Sequence, residues 1–469
     1  MSWNSLEDES RRTRTRSREA WFMICQSPRD LPSVSKLLEQ EETQALVGSH
    51  GEELVKFAVR DALDEARRDL LRGSEVALAR VTGRIAELLS PAQQRVLNLT
   101  GTILHTNLGR APLGDLLTTV AERLKGYSVL EFDLQTGKRG KRGEAVERLL
   151  RWTTGAEAAV MVNNCASAML LLLTVMAKGK EVIVSRGELV EIGGSFRIPD
   201  ILSLSGCRLV EVGTTNRTRV SDYEAAITEE TGLLLSTHRS NFEIVGFTQS
   251  PEPGELIELG KKHGIPVAYD LGSGMLSRLV PEEPLVSDCS GFSLTAFSGD
   301  KLLGGPQCGI IIGQKEFVTR CRRHPFYRAF RCDKLTLALM EEVLRRHAGA
   351  PHRVPTASLL LAEQSALRER AERTLSRLKP FLPEHYECRV VDTVARVGGG
   401  TLPGGELPSV ALALSPPAAE SEKRLQDRFR EGQPPIIVRV EKGTVYLDFR
   451  SLPESDDEEF LESCRRIFT

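Results

Sequence analysis

Three short stretches of this chain carry residues that could do chemistry together. Lys301 lies in Gly299-Asp300-Lys301-Leu302-Leu303-Gly304-Gly305-Pro306, a tight connection between two apolar runs. A lysine amine held partly out of water can form a Schiff base with an aldehyde. Taken alone, it reads as a surface lysine on a turn. Asp270 ends the apolar run 266–269 and precedes Leu271-Gly272-Ser273-Gly274. Open α/β sheets place ligands at the carboxyl ends of their strands. An aspartate there can hold the proton of a pyridine nitrogen and so make the ring an electron sink. Alone, it could equally be a loop or helix-cap residue. Asn163-Asn164-Cys165-Ala166-Ser167 separates an apolar run from a helical pattern. Small residues at a helix N-terminus leave backbone N–H groups for an anion, and Ser167 adds a hydroxyl. Alone, this is a cap without a ligand. Together they run in the order anion cradle, ring carboxylate, lysine. That set points to one cofactor, pyridoxal phosphate.

The elements around these residues must bring them together. Strand-like runs at 158–162, 181–185, 208–212, 233–237 and 266–269 alternate with helical patterns at 167–177 and 254–263. Ser221-Asp222-Tyr223-Glu224 reads as a capping box opening another helix. Such alternation predicts a mainly parallel sheet covered by helices on both faces. Runs 293–297 and 309–312 then follow each other with no helix between them, and their connection holds Lys301. Helices are expected over 334–347 and 359–378. Short β-like runs with Gly/Pro turns (387–391, 409–414, 436–439, 444–449) predict a separate α+β lobe over 346–469.

Upstream, 30–90 reads as a small all-α module of three helices, the longest over 52–71 with Leu54, Phe57, Ala58, Ala62, Ala66 and Leu70 on one stripe. Residues 1–29 read as a disordered tail, with five arginines in 11–18. Residues 91–150 read as a linker into the core, and 151–345 as the cofactor domain. The basic loop Lys138-Arg139-Gly140-Lys141-Arg142-Gly143 reads as solvated or as phosphate-facing, reaching a neighbouring subunit.

Composition sets the limits. The chain has 469 residues, 41% apolar and 27% charged, which excludes wholesale disorder and fibrous classes. Its 62 Lys and Arg against 64 Asp and Glu do not mark a nucleic-acid binder in bulk. Any basic surface must therefore be local. Nine scattered cysteines with no CxxC pair predict free thiols in a reducing cytoplasm, and no metal-ligand cluster is expected. No apolar run approaches the roughly 20 residues of a membrane span. Neither a Walker loop nor a Ser/His/Asp triad motif is present.

Four longer stretches carry a resemblance. They are 98–110 (NLTGTILHTNLGR), 132–140 (FDLQTGKRG), 185–197 (SRGELVEIGGSFR) and 298–307 (SGDKLLGGPQ). In these the chain resembles the bacterial selenocysteine synthases, the L-seryl-tRNA(Sec) selenium transferases, from about Leu31 to the C-terminus. The resemblance implies an α/β, fold-type I pyridoxal-phosphate transferase core with an N-terminal helical tRNA-binding module and a C-terminal α+β lobe. It also implies a homo-oligomer, a decamer. The implied activity converts L-seryl-tRNA(Sec) to L-selenocysteyl-tRNA(Sec) with selenophosphate, through an aminoacrylyl-tRNA. Lys301 matches the cofactor-carrying lysine, and Asp300 matches a family active-site acid; the leaving hydroxyl needs a proton donor, Asp300 or a water. Lys301, Asp270, Cys165, Ala166, Ser167, Ser298 and His238 are the expected cofactor contacts. Arg110, Arg328 and Arg331 match an anion site for selenophosphate, which bidentate arginine suits. Two positions depart from the family pattern: Arg239 replaces a small polar residue, and Cys165 sits in a usually Asn/Ala-rich loop.

Two rivals share the core. One is a small-molecule pyridoxal-phosphate lyase, such as an ammonia lyase for a phosphorylated amino sugar acid. The other is a binding protein that lost catalysis. The N-terminal module argues against the first, and an intact Lys301 and Asp270 against the second.

Overall fold

The computed structural model describes residues 23–192 and 196–469. The arginine run 11–18 lies outside them. The chain forms two compact units, which divide between Arg95 and Val96.

The first unit is helical. Val34–Leu38, Glu41–His50, Glu52–Leu71 and Leu78–Leu89 are helices, and Ile24–Cys25 pairs antiparallel with Val76–Ala77. The end of the stretch read as a tail is therefore structured from Ile24. Four helices stand where three were expected. Glu41–His50 escaped because its few apolar residues are contiguous, so it shows no helical stripe. The stripe on Glu52–Leu71 also needs correcting. Val55, Ala58, Val59, Ala62, Leu63, Ala66 and Leu70 are buried, while Leu54 and Phe57 are more than half exposed.

The second unit holds two sheets. The larger has seven strands in the order Arg208–Val212, Glu181–Ser185, Thr231–Thr237, Val267–Gly272, Leu294–Ser298, Gly309–Gly313, Ala158–Val162. The first five are mutually parallel, and Gly309–Gly313 runs antiparallel to both of its neighbours. Most of these strands are short apolar runs buried on both faces, as expected where helices cover a parallel sheet. Cys165–Ala177 lies on one face, with Ala168, Met169, Leu171, Leu172 and Leu173 in its core. Glu144–Thr154 and Lys334–Gly349 belong to the core on the other.

The second sheet has six strands, ordered Leu97–Leu99, Ile436–Glu441, Thr444–Asp448, Thr401–Ser415, Glu387–Gly398, Thr102–Leu104. Its outer strands come from the stretch read as a linker, roughly 300 residues upstream of their partners. Expected helix 359–378 is two helices, Pro355–Leu361 and Gln364–Leu378, broken at Ala362-Glu363 without Gly or Pro. The box expected at Ser221 is shifted. Asp222 caps the backbone N–H of Arg219, three residues before it, and the helix spans Val220–Ala225. Among the described residues no helix is long and apolar enough to cross a membrane.

Candidate active site

Parallel strands end along one edge of the seven-stranded sheet, and the chemistry-bearing residues collect there. A cavity of about 210 Å³ is lined by Arg110, Asn164, Cys165, Ala166, Ile192, Phe196, Asp270, Gly272, Ser298, Asp300, Lys301 and Gln307. Lys301 follows the end of strand Leu294–Ser298 and is 3% exposed. Its loop is tied down by backbone bonds from Leu302 to Ser273 and from Gly305 to Gly299. The Lys301 amine makes no hydrogen bond or ion pair among the described residues. A buried, unpaired amine facing a cavity is what a covalent carbonyl partner requires.

Asp270 is 4% exposed on strand Val267–Gly272, in register with Thr237 and Ala296 on the flanking strands. Burial pushes its carboxyl up to about 6, against the pull of Lys301 and His238. A carboxylate so poorly served with donors is ready for a protonated ring nitrogen. Gly272 keeps this corner open. Its φ of 69° lies in the left-handed region, and a Cβ there would stand 3.6 Å from the Lys301 amine.

Helix Cys165–Ala177 begins at the cavity. The Asn164 side chain caps it by accepting from the Ser167 amide at 2.8 Å. The Cys165 and Ala166 amides have no partner among the described residues and line the cavity. Gly309 presses against this cradle: a Cβ there would fall 2.1 Å from the Asn164 carbonyl oxygen. Cys165 Sγ lies 4.0 Å from Asp270 Oδ1, and burial, then Asp270, pushes the thiol up to about 12. It is a neutral wall, not a nucleophile.

Arg110 enters from the loop after Thr106–Leu108. Its φ of 62° is unusual for a non-glycine residue, a strain found where function needs a side chain aimed. Its Nη1 donates to Asp300 Oδ2 at 2.9 Å.

Comparison with known proteins falls on this ground. The L-seryl-tRNA selenium transferase family matches residues 96–453, and the selenocysteine synthase N-terminal family matches 28–67. An L-seryl-tRNA(Sec) selenium transferase of Geobacter sulfurreducens is 44% identical over 93% of this chain and 98% of its own length. That of Haemophilus ducreyi is 43% identical over 91% and 96%. The chain belongs to the L-seryl-tRNA selenium transferase family. Among solved structures, a D-glucosaminate-6-phosphate ammonia-lyase superposes with TM-score 0.56 at 17% identity, over 80% of this chain and 96% of its own. That likeness is one of fold, and the core is the fold-type I transferase core.

Several residues expected at a transferase site stand elsewhere in this protomer. Arg331 lines a separate, smaller cavity with Arg142, Arg322, Glu147 and Tyr327, and its Nη1 lies 3.4 Å from Glu131 Oε1. Arg328 is exposed on helix Pro325–Ala329. Neither lines the cavity of Arg110. In the basic loop, Arg139 and Arg142 donate to Glu131 at 2.7 and 2.9 Å, while Lys138 and Lys141 are exposed. Ser298 lines the cavity, but Ser167 does not. His238 lies one layer out, its amide donating to the Asp270 carbonyl at 2.8 Å and its Nε2 3.2 Å from Glu283 Oε2. Arg239 turns aside to Ser250. Sequence reasoning missed Asn164 as the cap, Gln307 as a lining residue, and the buried Glu188 and Glu283. Glu283 sits in Pro281-Glu282-Glu283-Pro284, which carries every mark of a solvated turn.

Proposed function

We propose that this chain converts L-seryl-tRNA(Sec) to L-selenocysteyl-tRNA(Sec), with pyridoxal phosphate as cofactor and selenophosphate as selenium donor. The observation that carries this is the unpaired, buried Lys301 amine across one cavity from Asp270 and the first turn of helix Cys165–Ala177. These residues fit the cofactor: an amine for its aldehyde, free amides for its phosphate and a carboxylate for its ring nitrogen. When bound, pyridoxal phosphate supplies the electron sink that makes the serine Cα–H acidic and lets the β-substituent leave.

The chain's own groups do the rest. The Cys165 and Ala166 amides and the helix dipole would hold the phosphate. Asp270 would hold the proton on the ring nitrogen. Lys301, once free, takes the Cα proton, and the ammonium so formed can return it to the departing β-hydroxyl as water. Asp300 is an acceptor in this geometry, so its part is to orient Arg110 rather than to donate. Arg110 offers the remaining face of its guanidinium to the anionic donor. Arg328 and Arg331 do not meet Arg110 within one protomer. An anion site built from all three requires a second copy of the chain, in keeping with a homo-oligomer, a decamer.

The tRNA is held by the helical unit up to Arg95 and by local basic surface such as Lys138 and Lys141. Nine free thiols suit a cytoplasmic setting.

The test is Lys301→Ala. The purified variant is expected to lose the absorption band near ~420 nm of the lysine-bound cofactor, and all turnover. Retained turnover would sink the assignment.

A further inference from the structure

Behind the cavity, two buried carboxylates flank the end of the Asp270 strand. Glu188 is served by strand Thr231–Thr237: it accepts from the Thr237 amide at 2.9 Å and the Ser236 hydroxyl at 3.3 Å. Glu283 is served differently. It is 1% exposed, its Oε2 lies 3.2 Å from His238 Nε2, and its Oε1 accepts from the Leu402 amide at 3.1 Å. Among the described residues, His238 is its only ion-pair partner. His238 in turn donates its amide to the Asp270 carbonyl. Leu402 is the second residue of strand Thr401–Ser415 of the second sheet, beside its hairpin tip where the pairing is irregular, and holds a φ of 53°. One carboxylate thus touches both the neighbour of Asp270 and the tip of the other sheet's hairpin.

A buried carboxylate is costly unless donors meet it. Here its position makes Nε2 the protonated nitrogen of His238. Nδ1 is then the acceptor nitrogen of the neutral ring. The charged groups that interact with His238 are Glu283, Asp270 and Glu188, and Lys301 and Arg239 in turn lie near Asp270 and Glu188.

We propose that Glu283 is a positioning residue for the reaction: it fixes the ring and tautomer of His238 beside Asp270 and anchors the 398–404 hairpin tip to the same histidine. This rests on the reading of Asp270 as the partner of the ring nitrogen. A glutamine at 283 could still accept from Leu402, but it would present an N–H to Nε2 and reverse the tautomer. Alanine would release both.

The experiment uses the full-length holoenzyme. Glu283→Gln is expected to take up pyridoxal phosphate in full and keep KM for seryl-tRNA within about twofold, yet lose about tenfold or more in kcat. The pH midpoint of its visible cofactor band moves by about one unit. A second readout needs no cofactor. In unloaded Glu283→Ala, amide hydrogens of 398–404 exchange about tenfold faster, while the paired stretch 409–415 is unchanged. A Glu283→Gln enzyme with the wild-type midpoint and kcat overturns the inference, as does unchanged exchange in Glu283→Ala. Either result leaves the cofactor reading standing if Lys301→Ala abolishes the band. If Lys301→Ala keeps the band, that reading itself has failed.

Discussion

Two regions of the second unit bury charge, and they treat it in opposite ways. Against the C-terminal sheet the two buried guanidiniums, Arg370 and Arg450, are met. Arg370 donates to Asp457 through Nε at 2.8 and 2.9 Å, and to the Leu452 and Pro453 carbonyls at 2.9 and 3.0 Å. Arg450 reaches the Pro408 and Leu359 carbonyls at 3.0 and 3.1 Å. At the edge of the seven-stranded sheet, Lys301 has no partner among the described residues, and Asp270 sits in a site that raises its pKa. Folding alone favours the first arrangement, because unmet buried charge is penalised. The second persists where a ligand is to complete it. Among the buried cations, under-satisfaction rather than burial sets Lys301 apart from Arg370 and Arg450.

The largest expected effect tests that distinction directly. Lys301→Ala should cost roughly 10⁴-fold or more in turnover, since the residue carries both the covalent link and the proton. Thermal unfolding of the unloaded variant should not fall, because an unpaired buried amine has been removed. A large loss of stability would place Lys301 with the structural charges.

Arg370→Met is the converse. It leaves Asp457 short of its donors and should destabilise the chain by about 3–5 kcal/mol in denaturant unfolding. Activity per folded molecule should be unchanged. A drop in kcat at full folding would mean that this cluster reports to the active site.

Asp270 gives a pH signature of about 3 kcal/mol. Its folded pKa of about 6 lies above the ordinary carboxylate value. Between about pH 4 and 6 the folded chain therefore holds a proton that the unfolded chain has lost, and stability falls as pH rises through that window. Unloaded wild type should lose up to about 3 kcal/mol across it relative to Asp270→Asn, in paired urea titrations. Parallel curves would show that the carboxylate is better served than the geometry indicates.

The sequence revealed the C-terminal sheet far less well than the seven-stranded one. Strands buried on both faces are contiguous apolar runs, so most of the seven-stranded sheet was legible, and the glycines around Lys301 marked the connection that carries it. The outer strands of the second sheet, Leu97–Leu99 and Thr102–Leu104, have three residues each and pair with partners some 300 positions away. No local period reports such pairing. The long hairpin carries Pro403, Gly404, Gly405 and Pro408 in its second strand, so half of it read as loop. In the site, residue types gave Lys301, Asp270 and the cradle. They could not show that Arg331 faces Glu131 rather than Arg110, because direction is set by packing and not by spacing. Glu283 was hidden for the same reason, its burial created by loops distant in sequence.

The smallest effect sharpens the comparison from inside the cavity. Asn164 lines it, yet its side-chain oxygen accepts from the Ser167 amide in an ordinary helix cap. If under-satisfaction marks function, this oxygen belongs to the supporting class despite its address. Asn164→Ala should then cost about 1 kcal/mol of stability, the usual worth of a cap. Asn164→Ser, which can cap, should recover most of it. Cofactor affinity should fall only a few-fold in the alanine variant, because the Cys165 and Ala166 amides remain and only their aim loosens. A loss of cofactor binding comparable to that of Lys301→Ala, with Asn164→Ser failing to restore it, would show that Asn164 touches the phosphate itself. The number of met hydrogen bonds would then be the wrong criterion for sorting residues at this site.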